Sequence, residues 1–298
     1  MGDGGDLMDL TGSAITWRDI TLYGRAGLGP FTFATLEGWE DLPNPRQPDA
    51  TPRPQSHGLF DSQVFSDERH VLTSGRCFSL AARDALLVEL QASFNFSAPD
   101  ELPLTITHAG RTLTAGARLL RFKPTPLTWG IGYFGWAAEW VCSDPLRYGA
   151  PVPVSTGFPV LAGGLEFDLY TDGTTDTGFL EFGASSATGR IVVANPGNED
   201  VWPQFEIAGP IPVQGLEVVR VGTGERLRFE GGVSTGSVLV LGAATGLVVI
   251  DGYADRSGLL TIRDWSSVPP QGSAEFEFVP LGTFSAAQLT ATVSPGFW

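Results

Sequence analysis

Three pairs of carboxylates could serve as the acid and nucleophile of a glycosidase, which cleaves a bond flanked by two carboxyl groups. They are Glu166/Asp168, Asp251/Asp255 and Glu275/Glu277. Around Glu166 and Glu275, acidic residues alternate with phenylalanine, a pattern typical of a strand with one solvated face. Glycoside hydrolysis is therefore the third of three functions considered, and we predict no catalytic residue.

The sequence does not predict a metal or cofactor site. His57, His70 and His108 are spread along the first half without an i, i+4 pair, and there is no Cys-x-x-Cys motif. A phosphate-binding loop with its lysine is also absent, since Lys123 is the only lysine. We therefore expect neither a bound metal nor a cofactor.

Four aromatic residues of the second half could contact a glycan: Tyr170, Trp202, Tyr253 and Trp265. Aromatic rings on a sandwich face can stack on sugars while carboxylates accept hydrogen bonds from the hydroxyls. The alternative is that each ring belongs to a core or a corner. Carbohydrate binding to a host cell surface is the second function considered.

The stretch RIVVANPGNEDVWPQFEIAGP, residues 190–210, predicts a strand, a tight turn and a second strand. Its turn could be part of a binding platform or a structural corner, and we favour the corner. Because Pro203 cannot donate a ladder hydrogen bond, this strand end is predicted to lie at a sheet edge.

A proline-rich stretch, LPNPRQPDATPRPQSHG, begins at Leu42 and can be neither a helix nor a central strand. It predicts an extended arm or long loop, and such loops usually carry function or contact partners. We predict a contact between subunits, with a plain surface loop as the alternative. The candidate interface residues are Pro43, Pro45, Arg46, Pro48, Pro52, Arg53, Pro54 and His57.

The bulk composition favours many short strands and turns. Of 298 residues 38 are Gly and 22 are Pro, while 17% are charged and 42% hydrophobic. The net charge of −15 argues against binding nucleic acid or an anionic membrane.

Cys77 and Cys142 are predicted to be buried free thiols. We see no secretion signal and no membrane-spanning run, and expect synthesis in a cytoplasm without membrane insertion.

The elements predict two domains. A helix is expected within AARDALLVELQASF, residues 81–94, whose leucines share one face. Asp144-Pro145 ends a strand and opens a boundary, giving a first domain at 1–150, a linker at 151–157 and a second domain at 158–298. The short strand candidates of the second domain indicate a β-sandwich or jelly roll.

The order of these features resembles the distal tail proteins (Dit) of long-tailed, non-contractile bacteriophages, especially the minor tail proteins of actinobacterial phages. In the first half, the resemblance rests on HGLFDSQVFSDERHVLTSGRCFS, on ARDALLVELQASF followed by LPLTITHAGRTLTAGARLL, and on WVCSDPLRYG. In the second half, four pieces follow in the family's order: VVANPGNEDVWPQFEIAGPI, LRFEGGVSTGSVLVLGAATGLVVIDGYADRSG, DWSSVPPQGSAEFEF and QLTATVSPGFW.

This resemblance implies a non-enzymatic virion protein at the phage tail tip, part of the baseplate. Proteins of the family form a ring, usually a hexamer, whose channel is built by a first domain made of a β-sandwich with one helix. The second domain, a galectin-like or carbohydrate-module-like sandwich, lies outside. The ring connects the tail tube protein to the tail hub, near the tape measure protein. It can anchor receptor-binding proteins or contribute to host attachment.

Overall fold

The computed structural model describes residues 10–24, 29, 31–46, 51–57, 59–60, 62–77, 79, 84–85, 88, 101–128, 133–159, 166–167, 180–181, 188–282 and 287–298. The chain divides into two compact units. The first consists of Met1–Ala150 with Phe297–Trp298, and the second of Pro151–Gly296. Each unit has its own hydrophobic core.

The first unit is built from strands joined by turns. Its strands are β1 (Ala14–Trp17), β2 (Ile20–Tyr23), β3 (Phe31–Glu37), β4 (Pro45–Arg46), β5 (Thr51–Pro52), β6 (Leu59–Phe60), β7 (Phe65–Ser66), β8 (Arg69–Cys77), β9 (Leu102–His108), β10 (Arg111–Thr128), β11 (Tyr133–Cys142) and β12 (Arg147–Tyr148).

Seven of these strands form a closed barrel in the order β11-β8-β3-β2-β1-β9-β10, because β10 also pairs with β11. The long β10 makes this closure possible. It pairs with β9 up to Ala117 and with β11 from Arg118 onward. Two register shifts along the β10–β11 pair mark bulges, which bend a strand and increase its twist.

Alternating side chains fill the barrel. Ile15 and Trp17 of β1 point inward beside Leu104 of β9, and all three are buried. Trp17 meets Trp140 of β11 edge to face, with ring centroids 6.2 Å apart. The alternation of apolar and polar residues in the sequence therefore corresponds to side chains that point alternately into and out of the barrel.

The second unit contains the remaining strands. They are β13 (Val152–Gly157), β14 (Glu166–Phe167), β15 (Leu180–Glu181), β16 (Arg190–Asn195), β17 (Gln204–Ala208), β18 (Leu216–Arg220), β19 (Arg226–Phe229), β20 (Val238–Gly242), β21 (Leu247–Ile250), β22 (Ala254–Asp255), β23 (Leu260–Arg263), β24 (Gly272–Pro280) and β25 (Gln288–Val293). A 3₁₀ turn covers Ser257–Leu259. The chain returns to the first unit at Phe297, where the last strand, β26 (Gly296–Phe297), pairs with β12.

Two sheets of the second unit share one core. The six-stranded sheet has the order β13-β25-β17-β20-β21-β22, and the five-stranded sheet has the order β16-β24-β18-β19-β23. Phe205 of the first sheet packs edge to face on Phe276 of the second, with centroids 5.0 Å apart. Both rings are buried, so the inward faces of the two sheets meet.

The mainly β composition predicted from the sequence is confirmed. The β-sandwich expected in the first unit is not what its strands form, because the sheet closes on itself. Alternation alone does not separate the two cases, since each strand buries one face either way. Within the predicted helix at 81–94, Asp84, Ala85 and Val88 are described and are helical, and the other residues lie outside the described part.

Within the segment 151–157, predicted as a linker, Val152–Gly157 form the edge strand β13. It pairs with β25 from Val152↔Val293 to Gly157↔Gln288. Pro153 is compatible with an edge because only one side of such a strand needs backbone donors. Helices long and apolar enough to cross a membrane do not occur in the described residues.

Both cysteines are buried thiols that form no disulfide, as predicted. Burial raises the pKa of the Cys142 thiol from 9.0 to about 12. The unfolded chain releases this proton above pH 9, whereas the folded chain retains it. The stability contributed by Cys142 is therefore complete below pH 9 and is lost as the pH rises towards 12.

Cys142→Ala should accordingly flatten the fall in the free energy of unfolding of the first unit between pH 8 and pH 10. The measurement is urea unfolding followed by the reaction of the Cys77 thiol, which is buried in the same core and present in both proteins. Equal pH slopes for the wild type and the variant would contradict the assignment.

Candidate functional site

The proline-rich segment forms a ladder of short strand pairs. β4 pairs with β7, and β5 pairs with β6, so the chain runs out and back. We call residues 42–66 the arm. The prolines suit this conformation because their fixed φ favours extended backbone, and a two-stranded ladder leaves one side of each strand free of partners.

Hydrogen bonds hold the two ends of the arm together. The backbone N–H of Asp67 donates to the carbonyl of Asn44 at 2.9 Å. The Asp67 carboxylate also lies 3.5 Å from the Arg46 guanidinium. This ion pair is largely exposed and contributes little by itself.

A buried arginine fixes the base of the arm. Arg69, the first residue of β8, donates from Nη1 to the carbonyls of Gly38, Trp39 and Asp41 at 2.7–2.9 Å. Its Nε donates to the carbonyl of Pro145 at 2.7 Å. One side chain therefore connects three segments: the residues before the arm, the strand β8 after it, and the segment that follows β11.

A second buried arginine lies beside the first. Arg147 donates to Glu40 at 2.8 Å and to the backbone carbonyl of Trp298, and its guanidinium lies 5.6 Å from the centre of the Trp39 ring. Burial, together with the charge of Arg147, lowers the pKa of Arg69 to about 10. Arg69 therefore remains a cation near neutral pH, and the backbone carbonyls around it compensate its charge.

The arm exposes apolar side chains that the sequence analysis did not single out. Leu42 is 75% exposed and Phe60 56% exposed, and Val64 and Phe65 are exposed as well. The guanidinium of Arg53 covers part of the Phe60 ring at 5.6 Å. The signal that could have found them is the set of isolated apolar residues among prolines and polar residues, where no core is available.

The predicted interface residues lie together on the arm, with one exception. Pro45, Arg46, Arg53, Pro54 and His57 are exposed. Pro43 is half-buried and Pro52 belongs to β5, whereas Pro48 lies outside the described residues.

The predicted glycan-contact aromatics have different surroundings. Trp202 is 47% exposed and Tyr253 is 83% exposed. Trp265 is half-buried and packs against the core of the second unit. Tyr170 lies outside the described residues.

The turn before Trp202 is built around the buried Asn195. The side-chain amide of Asn195 donates to the carbonyls of Glu199, Val268 and Pro269, and its oxygen accepts from the N–H of Gly197 at 2.9 Å. These bonds agree with the corner interpretation.

The edge prediction for Pro203 is wrong. β17 pairs with both β20 and β25 from Gln204 onward, so it is a central strand. Pro203 precedes the ladder and therefore needs no donor.

The candidate acids serve structural contacts. Glu275 and Glu277 both lie within 4 Å of the Arg190 guanidinium, at 3.7 and 3.0 Å. Asp251 accepts from the N–H of Val238 at 2.9 Å. The N–H of Ser257 holds the pKa of Asp255 below its usual range, which is the opposite of what a general acid requires.

The remaining acid pair is only partly described. Glu166 lies in β14, which pairs with β15, whereas Asp168 lies outside the described residues. Within the described residues, no three His, Cys, Asp or Glu side chains are grouped to hold a metal ion.

The sequence analysis predicts no nucleophile elbow, yet a Gly-x-Ser-x-Gly pattern does occur at Gly232–Gly236. A nucleophile elbow places its serine between a strand and a helix. Here the pattern lies in the turn between β19 and β20, and the next element is a strand. The carbonyl of Ser234 accepts from the N–H of Ser237 at 3.1 Å, as in an ordinary turn.

Comparison with known proteins gives matches of fold only. No protein-family model matches the sequence, and no curated protein matches it at a significant level. The crystal structure of the SPP1 Dit (gp 19.1) protein, described as a paradigm of the hub adsorption apparatus in phages infecting Gram-positive bacteria, is similar with a TM-score of 0.58. That match covers 89% of this chain and 93% of that chain at 14% identity. A chain of the phage P2 baseplate in its activated conformation with Ca is similar with a TM-score of 0.50, over 94% and 97% of the two chains at 11% identity.

Replacing Arg69 by methionine should destabilise the first unit strongly. The substitution leaves the carbonyls of the arm base and of Pro145 without a donor, so we expect a loss of about 3 kcal/mol or more in the free energy of unfolding. The arm should also become more sensitive to proteolysis, because its base is released. Urea unfolding and limited proteolysis measure these effects.

Arg190→Met is the matched control, because among the described residues the side chain of this arginine makes exposed ion pairs. It should cost no more than about 1 kcal/mol. Similar losses for the two variants would show that Arg69 does not organise the arm base.

Proposed function

We propose that this chain is a distal tail protein of a long-tailed, non-contractile bacteriophage of the actinobacterial type, and that it acts as a non-enzymatic component of the tail tip. The observation that carries the proposal is the fold similarity to SPP1 Dit over nearly the full length of both chains. A match that spans both compact units is more informative than a match to one common β domain. The order of sequence pieces supports the same family independently of the fold.

The first unit is proposed to build a ring, which we take to be hexameric. A ring needs a surface on each copy that fits a different surface on the next copy, in a head-to-tail contact that closes. The arm offers such a surface because it is extended and exposes Phe60 and Phe65. An arm fixed at its base by Arg69 and stiffened by prolines loses little conformational entropy when it docks.

The ring is proposed to join the tail tube protein to the tail hub, close to the tape measure protein. The second unit is then the outer domain, a galectin-like or jelly-roll sandwich that can anchor receptor-binding proteins. The acidic second half, with 6 Lys and Arg against 16 Asp and Glu, would favour partners with basic surfaces. The protein would be made in the host cytoplasm and incorporated into the virion.

Carbohydrate recognition by the second unit is the second candidate function. It is favoured by the exposed indole of Trp202, which follows the turn built around Asn195. Large aromatic rings with one face open to solvent are suited to stacking on sugar rings. The two functions are compatible, because they use different units.

The ring can be tested with the double variant Phe60→Ser and Phe65→Ser. Removing two apolar side chains from a contact should weaken assembly at least about a hundredfold, so that a ring of several copies dissociates into monomers. Light scattering over a range of concentrations measures the mass, and electron microscopy of the same fraction shows whether a ring with a central hole is present.

Val192→Ser is the control, since Val192 is as exposed as Phe60 but lies in the second unit. Assembly should persist in this variant. A ring that survives the loss of both phenylalanines would remove the arm from the interface, and a wild-type chain that stays monomeric at high concentration would contradict self-assembly.

A further inference from the structure

The six-stranded sheet of the second unit has two chemically different faces. Its inner side carries rows of apolar residues, such as Phe205, which pairs with Ala291 on one side and with Leu241 on the other. All three are buried. The residues between them in sequence therefore point away from the core.

The outward side of β13, β25 and β17 is polar but almost uncharged. Ser155 lies opposite Thr290, which lies opposite Glu206, and Gln204 lies opposite Thr292. We define the neutral face as Ser155, Gln204, Glu206, Gln288, Thr290 and Thr292. Glu206 is the single charge in this set.

Hydrogen bonds order the neutral face. The Gln204 amide donates to the Glu206 carboxylate at 2.9 Å, and the hydroxyls of Ser155 and Thr290 are 2.9 Å apart. The neighbouring outward positions of β20 and β21 are apolar, among them Val240, which lies opposite Val249. Beyond them Asp255 of the edge strand β22 lies opposite Val249 and is the second acid on this side. The surface therefore combines donors and acceptors with patches of hydrocarbon.

The five-stranded sheet differs. On its outward side Arg190 pairs with Glu275 and Glu277, and Arg228 lies 3.4 Å from Glu217. Such paired charges are what a sheet face adapted to water carries. The near absence of charge is therefore a property of the neutral face and not of the unit as a whole.

Trp202 stands at one end of the neutral face. It precedes Gln204 by two residues, at the end of the sheet where β20 meets β21 through the pair Gly242↔Leu247. Tyr253 follows β21 at its other end. Register thus places Trp202 near the end of the sheet where Gln204 pairs with Thr292, whereas Tyr253 lies at the opposite end of β21.

We propose that the neutral face and Trp202 bind an uncharged polysaccharide. Sugar rings present hydroxyls at their rims and apolar C–H groups on their faces, which match the amide and hydroxyl groups of the face and the ring of Trp202. Anionic polymers would be repelled, because the second half of the chain carries an excess of ten negative charges, 16 acidic against 6 basic residues. The proposal rests on the second candidate function and assigns it a site and a ligand class.

The test uses the full chain and neutral tetrasaccharides of five series, namely α-glucan, β-glucan, mannan, galactan and xylan. Oligogalacturonate serves as a charged comparison, and calorimetry measures affinity. At least one neutral series should bind. Trp202→Ala should weaken that binding about tenfold or more, and the double variant Gln204→Ala with Thr292→Val should weaken it as well, because both remove ligand contacts.

Tyr253→Ala is the matched control, an equally simple removal of an exposed aromatic, and it should leave affinity within about twofold. Binding that resists both Trp202→Ala and the Gln204/Thr292 change would overturn this site while leaving carbohydrate recognition intact. Binding of none of the neutral series, or preference for oligogalacturonate, would overturn the ligand class as well. Light scattering of the same samples reports ring assembly separately, so a failure here does not count against the tail-tip role.

Discussion

The first unit depends on one buried cation. A guanidinium removed from water needs acceptors around it, and Arg69 obtains them from backbone carbonyls at 2.7–2.9 Å. Those carbonyls belong to segments distant from Arg69 in sequence. Because the buried charge needs all of them as hydrogen-bond acceptors, it fixes the position of each segment around the guanidinium. Arg147 repeats the arrangement with Glu40 and the Trp298 carbonyl. The arm can be irregular and exposed because its base is this well determined.

The second unit follows a different constraint, the alternation of side chains across paired strands. Every residue directed inward must fit the core around Phe205 and Phe276, and this leaves the outward positions free to vary. The outward positions of the five-stranded sheet carry paired ions, whereas the neutral face of the six-stranded sheet carries one charge, Glu206. A β-fold of this kind can therefore carry two unrelated surfaces on one core.

Much of this organisation could be predicted from the sequence, because it depends on local patterns. Strand-rich composition, the extended arm and the buried thiols follow from residue types and spacing. Closure of the barrel could not be predicted from the sequence. It depends on the long strand β10, which pairs with β9 along its first part and with β11 along its second part. The central position of β17 was missed for a similar reason, since Pro203 adjoins the strand without belonging to it. Arg69 could not have been identified, because its partners are main-chain carbonyls that carry no sequence signal.

The pairing of β13 with β25 has an evolutionary consequence. Val152, near the start of the second unit, lies opposite Val293, near its end. The backbone that enters the second unit and the backbone that leaves it are therefore about 5 Å apart at this pair. The second unit is thus arranged as an insertion with adjacent termini, between Ala150 and Phe297. A cassette of this kind can be exchanged by recombination for another with similarly spaced ends, while the barrel keeps its own closure. The fold therefore allows the second unit to be replaced without a change in the barrel.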